Sequence, residues 1–282
     1  MTGSVPTLSL RAGSDTIEIP QLGFGTWEVP DEEVTDAVLG AFKVGYRSID
    51  TAKIYGNEEG VGRALRQTEL AREDIFLTTK VWNDAQGYES TLKAMDESLA
   101  KLGTDYVDLY LIHWPVPAKD AYVDTWKALL KLREDGKAKA VGVCNFHENH
   151  LQRLADETGE LPAINQIELH PYLTQEPLRA FNDEHDIVTE DWSPLGARLN
   201  LIEDPVIGSV ANAVGKTPAQ VILRWHLQMG SVVIPRSTKQ PRIEANFDLF
   251  DFELNETQMA SISGLDQGKR SGPDPDEFNL GA

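Results

Sequence analysis

The feature that most constrains this chain is an alternation. Short apolar runs and longer stretches with a helical period follow one another eight times. The runs are 20–27 (PQLGFGTW), 46–52 (YRSIDTA), 74–82 (DIFLTTKVW), 107–114 (VDLYLIHW), 138–146 (AKAVGVCNF), 162–169 (PAINQIEL), 186–194 (DIVTEDWSP) and 231–236 (SVVIPR). Helix-like stretches fall between them. Residues 31–45 begin with three acids and end on Gly45, and 89–103 end on Gly103; 119–137, 147–159 and 174–186 follow. Strands alternating with helices imply a parallel sheet with right-handed crossovers. Eight such units in about 250 residues fit a closed (β/α)8 TIM barrel.

Ahead of the first unit, 7–20 (TLSLRAGSDTIEIP) reads as a hairpin around Gly13-Ser14-Asp15, placed to close the bottom of the barrel. No low-complexity linker divides the chain, so 1–282 reads as one domain. Only the closing stretch, 265–282, shifts in composition. It is rich in Gly, Pro and charge and reads as an irregular tail.

Charge and cysteine content exclude several functions. The formal net charge is −19 at pH 7, which repels nucleic-acid phosphate and anionic lipid and sets both aside as partners. A phosphate-bearing cofactor then needs a local basic cluster. Cys144 is the one cysteine, so neither an intramolecular disulfide nor a Cys-based zinc site is expected. The first residues lack a basic stretch followed by an apolar run, and no run approaches the roughly 20 apolar residues of a membrane span. These features read as a cytoplasmic protein.

Two tempting motifs fail. Gly215-Lys216-Thr217 ends like a phosphate loop, but Val210 stands where its first glycine belongs. The triplet reads better as Gly215 ending one helix and Thr217 capping the next, with Pro218 as its first residue. His147-Glu148-Asn149-His150 is one residue short of the zinc-protease spacing, so no metal site is expected there. No G-x-G-x-x-G follows a strand, and no G-x-S-x-G is present.

Barrels gather their chemistry at the C-terminal ends of the strands. The second run delivers Asp50, with Tyr55 just beyond it; the third delivers Lys80; the fourth delivers His113. Reducing a carbonyl requires a hydride on carbon and a proton on oxygen. Tyrosine is a reluctant acid at neutral pH. A neighbouring ammonium stabilises its phenolate, and a carboxylate keeps that ammonium charged. Asp50 then anchors Lys80, Lys80 tunes Tyr55, Tyr55 donates the proton, and His113 orients the substrate oxygen. Alone, each residue has an ordinary structural explanation as an ion pair, a packing ring or a core histidine. Their arrival at one predicted face favours chemistry.

With these residues in place, the sequence resembles the aldo-keto reductases, and within them the bacterial 2,5-diketo-gluconate reductase group. The resemblance runs from about Thr7 to about Asp266. It is carried by GFGTW, YRSIDTAKIYGNE, TTKVW, DLYLIHWP, GVCNF, NQIELHPYL, DWSPLG and VVIPRSTKQPRIEANFDLFDFEL. It implies an NADPH-dependent reductase of aldehydes and ketones that works as a monomer. It also implies that NADPH lies across the barrel mouth. Asn145, Gln166 and Cys144 would hold its carboxamide, with Cys144 where many members have serine. Trp192 would stack on nicotinamide, and Ser193 and Leu195 would border the pyrophosphate.

Arg236, Ser237, Thr238, Arg242 and Asn246 match the part that holds the 2′-phosphate. The clustering of Arg236, Lys239 and Arg242 in an acidic protein supports this independently. Ala245 stands where the family usually has a glutamate, with Glu244 beside it. Trp27, Trp82 and Trp114, with His113, would line a pocket for a small-molecule carbonyl substrate, whereas His170 reads as structural. Two other readings compete: an NADPH-binding barrel with little turnover, and a metal-dependent barrel hydrolase. The second ranks last because the histidines do not pair at strand ends.

Overall fold

A computed structural model of the protein describes residues 5–281. Strands β1 (Thr7–Ala12) and β2 (Asp15–Pro20) form the hairpin, paired from Thr7↔Pro20 to Ala12↔Asp15. Its turn has Gly13 at φ 70°, a region glycine enters without a steric penalty. Eight parallel strands follow: β3 (Phe24–Gly25), β4 (Ser48–Asp50), β5 (Phe76–Val81), β6 (Val107–Ile112), β7 (Ala138–Cys144), β8 (Ile164–Glu168), β9 (Val188–Trp192) and β10 (Val232–Val233). Each pairs with its neighbour in sequence. The sheet closes where Leu22 bridges Val233, supported by Gly23 N donating to Val233 O at 2.9 Å and Gly25 N to Pro235 O at 3.1 Å. The chain therefore forms a (β/α)8 barrel, as the alternation implies.

The helices are α1 (Asp31–Val44), α2 (Glu58–Gln67), α3 (Tyr88–Leu102), α4 (Tyr122–Glu134), α5 (Glu148–Thr158), α6 (Glu176–Glu184), α7 (Pro205–Val214), α8 (Pro218–Gln228), α9 (Gln240–Phe247) and α10 (Glu256–Ser263). As expected, Gly215 ends α7 in the left-handed region. Thr217 caps α8 by accepting from Gln220 N, and Pro218 is its first residue. Helix α2 lies outside the helical stretches singled out in the sequence. Gly60 and Gly62 lower its intrinsic propensity, yet both are packing requirements. A Cβ on Gly62 would sit 2.5 Å from Lys101 O, and one on Gly60 would collide with Val34 of α1. The glycines let α1, α2 and α3 approach closely.

The hairpin plugs the N-terminal end of the barrel. Leu10 and Ile19 are fully buried and pack with Phe76, Leu109, Ile164 and Val232, which project into the interior. Arg11 ties the hairpin to the barrel through Pro162 O and His185 O. With the interior filled at that end, the larger cavity opens at the C-terminal mouth.

Residues 265–281 contain no helix or strand, in line with the sequence, but they pack over the mouth. The Glu168 carboxylate accepts from Ser271 N and Oγ, both at 2.6 Å, and from Gly272 N at 3.0 Å. Asn83 donates to Leu280 O at 2.8 Å, and the Phe278 ring lies 4.4 Å from that of Trp114. Among the described residues no helix is long and apolar enough to cross a membrane.

Candidate active site

Parallel register brings the ends of β4, β5 and β6 together. Asp50 closes β4, and a turn of 3-10 helix, Lys53–Tyr55, carries Tyr55 just past it. Lys80 sits one residue before the end of β5, and His113 one residue past β6. Strand side chains alternate between faces, so Lys80 points into the barrel while Thr79 points outward and donates to Glu58 of α2 at 2.7 Å.

Lys80 is fully buried. Its Nζ donates to Asp50 Oδ1 at 2.6 Å, Asp50 Oδ2 at 2.8 Å and Thr51 O at 3.0 Å, and it lies 3.4 Å from Tyr55 Oη. Burial opposes the ammonium, but Asp50 and Tyr55 beside it more than offset this, and the lysine pKa ends above its ordinary value. The Tyr55 result differs from the sequence expectation. Burial pushes the phenol above its ordinary pKa, and Lys80 pulls it back only part of the way. The residue is therefore a proton-bearing phenol at neutral pH whose conjugate base is stabilised by a fixed ammonium.

His113 forms the neighbouring wall. Its ring stands edge-on to Tyr55 at 5.7 Å between centroids and to Trp82 at 5.1 Å. Its Nδ1 is buried without a hydrogen-bond partner. Burial first, and the Lys80 charge second, hold the imidazole well below its ordinary pKa, so it is neutral.

A cavity of about 480 Å³ opens from this cluster. Asp50, Tyr55, Cys144, Asn145 and Gln166 reach its floor, and Trp27, Trp82 and Trp114 line its side. Trp192, Ser193, Leu195 and Arg236 line its other limb. Asn145 takes φ 63°, which its short amide tolerates, and donates to His113 O at 3.0 Å while accepting from Trp192 Nε1 at 2.8 Å. Gln166 Nε2 donates to Asp50 Oδ2 at 2.9 Å and to Glu190 Oε2 at 2.8 Å, and its Oε1 faces Cys144 Sγ at 3.5 Å. Burial raises the Cys144 thiol well above its ordinary pKa, which makes it a filler and not a nucleophile.

Ser237, Thr238, Arg242 and Asn246 do not line the cavity. They continue from it along the loop after β10 and helix α9, where Arg242 and Thr238 are exposed. Arg236 pairs with Glu28 at 3.1 Å, and Glu28 also pairs with Arg198 at 3.1 Å. Glu244 accepts from Gln240 at 3.0 Å. His147 and His150 have partners of their own. His147 Nδ1 lies 3.0 Å from Asp276 and Nε2 lies 3.2 Å from Arg270, while His150 Nδ1 accepts from His147 N at 3.1 Å. His170, read as structural, is buried beside Glu168 at 3.0 Å.

The donor set fits an extended dinucleotide. Two amides meet at the floor, where a carboxamide needs both a donor and an acceptor, and arginines stand at the far limb, where phosphates need cations. Sequence reasoning passed over Glu190, Arg198, Ile54 and Phe278. Of these only Glu190 gave a signal, as one of two acids inside a buried strand run.

Comparison with known proteins agrees with this geometry. The Aldo/keto reductase family model matches residues 21–267. A methylglyoxal reductase, DkgA, from Salmonella typhimurium is 54% identical over 261 residues, covering 92% of this chain and 94% of that protein. The crystal structure of a Gox0644 variant in complex with NADPH superposes with a TM-score of 0.92 at 46% identity, covering 98% of this chain and 99% of that one. A Bombyx mori aldo-keto reductase in complex with NADP gives 0.90 at 35% identity, covering 97% of each chain.

One measurement follows from the lowered pKa. Nitrogen-15 NMR of labelled protein should show a His113 ring that stays neutral as pH falls through 6.5, the ordinary histidine value. A folded group that resists protonation loses stability as pH falls below that value. A ring that titrates near 6.5 would show that its burial does not exclude charge.

Proposed function

The chain belongs to the aldo/keto reductase family and reduces carbonyl compounds with NADPH; from that premise we propose how its residues divide the work. The carrying observation is Lys80 Nζ, bonded to both oxygens of Asp50 and 3.4 Å from Tyr55 Oη. NADPH, when bound, supplies hydride to the carbonyl carbon. Tyr55 Oη gives its proton to the carbonyl oxygen, and Lys80 stabilises the phenolate that remains. The raised phenol pKa does not bar this role, because an alkoxide is a far stronger base than a phenolate. Neutral His113 hydrogen-bonds the substrate oxygen and directs it towards Tyr55. Asp50 keeps Lys80 charged and in place.

With NADPH bound, Asn145, Gln166 and Cys144 would hold the carboxamide, and Trp192 would offer its face to the nicotinamide. Ser193 and Leu195 would border the pyrophosphate. Arg236, Ser237, Thr238, Arg242 and Asn246 would hold the 2′-phosphate. The substrate is a small carbonyl, a dicarbonyl or a keto sugar or acid, held among Trp27, Trp82, Trp114 and His113. The Salmonella relative's name, methylglyoxal reductase, supports the dicarbonyl. Aromatic walls suit small carbonyl compounds with apolar or flat parts. The whole chain, 1–282, acts as one domain and as a monomer in the cytoplasm.

Tyr55→Phe keeps the ring and removes only the acid. It should lower NADPH oxidation with a simple aldehyde by about 10²-fold or more, as loss of a general acid does, while NADPH quenching of tryptophan fluorescence persists. A variant retaining a tenth of wild-type activity would remove Tyr55 from the proton step. Arg242→Ala should weaken NADPH much more than NADH in the same titration. Equal losses for the two would contradict a phosphate role.

A further inference from the structure

One buried carboxylate has no place in the roles above. Glu190 lies mid-way along β9, faces the barrel interior and is 1% exposed. The next residue, Asp191, points outward to His226 of α8 at 2.7 Å, as strand alternation requires. Glu190 is joined to the proton-donor cluster by a single side chain. Gln166 Nε2 donates to Glu190 Oε2 at 2.8 Å and to Asp50 Oδ2 at 2.9 Å. A primary amide has two N–H groups, and here each is used on a different carboxylate. The amide cannot flip without losing its bonds to both Asp50 and Glu190, so Oε1 stays turned towards Cys144 and the cavity floor.

The charge on Glu190 matters as much as its bond. Lys80 and Asp50 form a neutral pair. An ionised Glu190 adds a second negative charge one amide away, inside a region of low dielectric. The phenolate left after Tyr55 gives up its proton depends on the field of Lys80, and a second carboxylate weakens that field.

We propose that Glu190 is a positioning residue for the proton donor: through Gln166 it locks the amide that lines the cavity, and through its own protonation state it sets the net charge beside the Asp50–Lys80 pair. Protonated, it leaves the cluster neutral and Tyr55 competent. Ionised, it opposes the phenolate and slows reduction. The proposal rests on the reading of Tyr55 as the proton donor.

The groups facing Glu190 are shifted by the same burial. Burial, and then the Asp50 charge, push Glu190 up to about 8. Across the interior, Tyr55, Lys80 and the Cys144 thiol are all raised above their ordinary values, and His113 is pushed well below its own. On the same strand Asp191 is raised by burial and held back by its bond to His226. Of these groups, Glu190 is the carboxyl that burial pushes up to about 8.

The test compares wild type with Glu190→Gln, which keeps an acceptor for Gln166 and cannot ionise. The measurement is kcat/KM for a simple aldehyde at saturating NADPH across pH. Wild type should fall as pH rises through about 8, by up to about tenfold per unit, while the variant stays level. The cofactor-free protein gives a second readout. Infrared difference spectra between about pH 6 and about pH 10 should lose one protonated-carboxyl band in the variant. A variant that turns over and keeps the wild-type fall would overturn the Glu190 role and leave Tyr55 in place. A carboxyl band that survives the substitution would overturn it without reference to turnover. A wild-type protein inert towards every aldehyde would remove the proton-donor reading, and this proposal with it.

Discussion

An ammonium with no solvent exposure is the constraint on which the mouth of this barrel is built. Lys80 can remain charged only because both oxygens of Asp50 and a backbone carbonyl surround it. Removing either partner would leave a buried charge uncompensated. The pair therefore holds β4 and β5 in one arrangement. It also fixes where a phenol on the loop after β4 must lie. Gln166 reaches Asp50 from β8 and joins Glu190 on β9, so the charges of one cluster span much of the barrel interior.

The rest of the architecture serves this site indirectly. The hairpin fills the bottom with Leu10 and Ile19, which leaves the mouth as the open end. The tail crosses the mouth, fastened by Glu168 to Ser271 and Gly272. Gly272 is the residue that permits this, since a Cβ there would stand 2.6 Å from the Trp192 ring. The same tail brings Phe278 onto Trp114 and adds a ring to the walls.

Much of this could be read from the sequence, for physical reasons. Buried parallel strands appear as apolar runs, so the barrel is visible in the alternation. Asp50, Lys80 and His113 stand out because they are ionisable residues at the ends of such runs. Helix α2 was hidden because Gly60 and Gly62 look like helix breakers when their packing partners on α1 and α3 are unknown. Strands β3 and β10 are shorter than the apolar runs 20–27 and 231–236 suggest, because barrel closure uses an isolated bridge at Leu22 and Val233 in place of a full ladder. The tail's contacts with Trp114, Asn83 and Glu168 join residues far apart in sequence and leave no local pattern. The balance of forces on Tyr55 was also beyond reach: the sequence shows the ammonium that lowers its pKa but not the burial that raises it further.

The most direct test of the account is a double-mutant cycle on the buried pair, measured by urea unfolding alongside NADPH oxidation. Lys80→Met alone should cost about 3–5 kcal/mol, because it strands the Asp50 carboxylate. Adding Asp50→Asn should recover most of that stability and none of the reductase activity. Such a protein would show that the charge pair serves the proton donor beyond its part in holding β4 to β5. Equal instability of the single and double variants, or a double variant that still reduces aldehydes, would contradict the claim that Asp50 and Lys80 act as one unit on Tyr55.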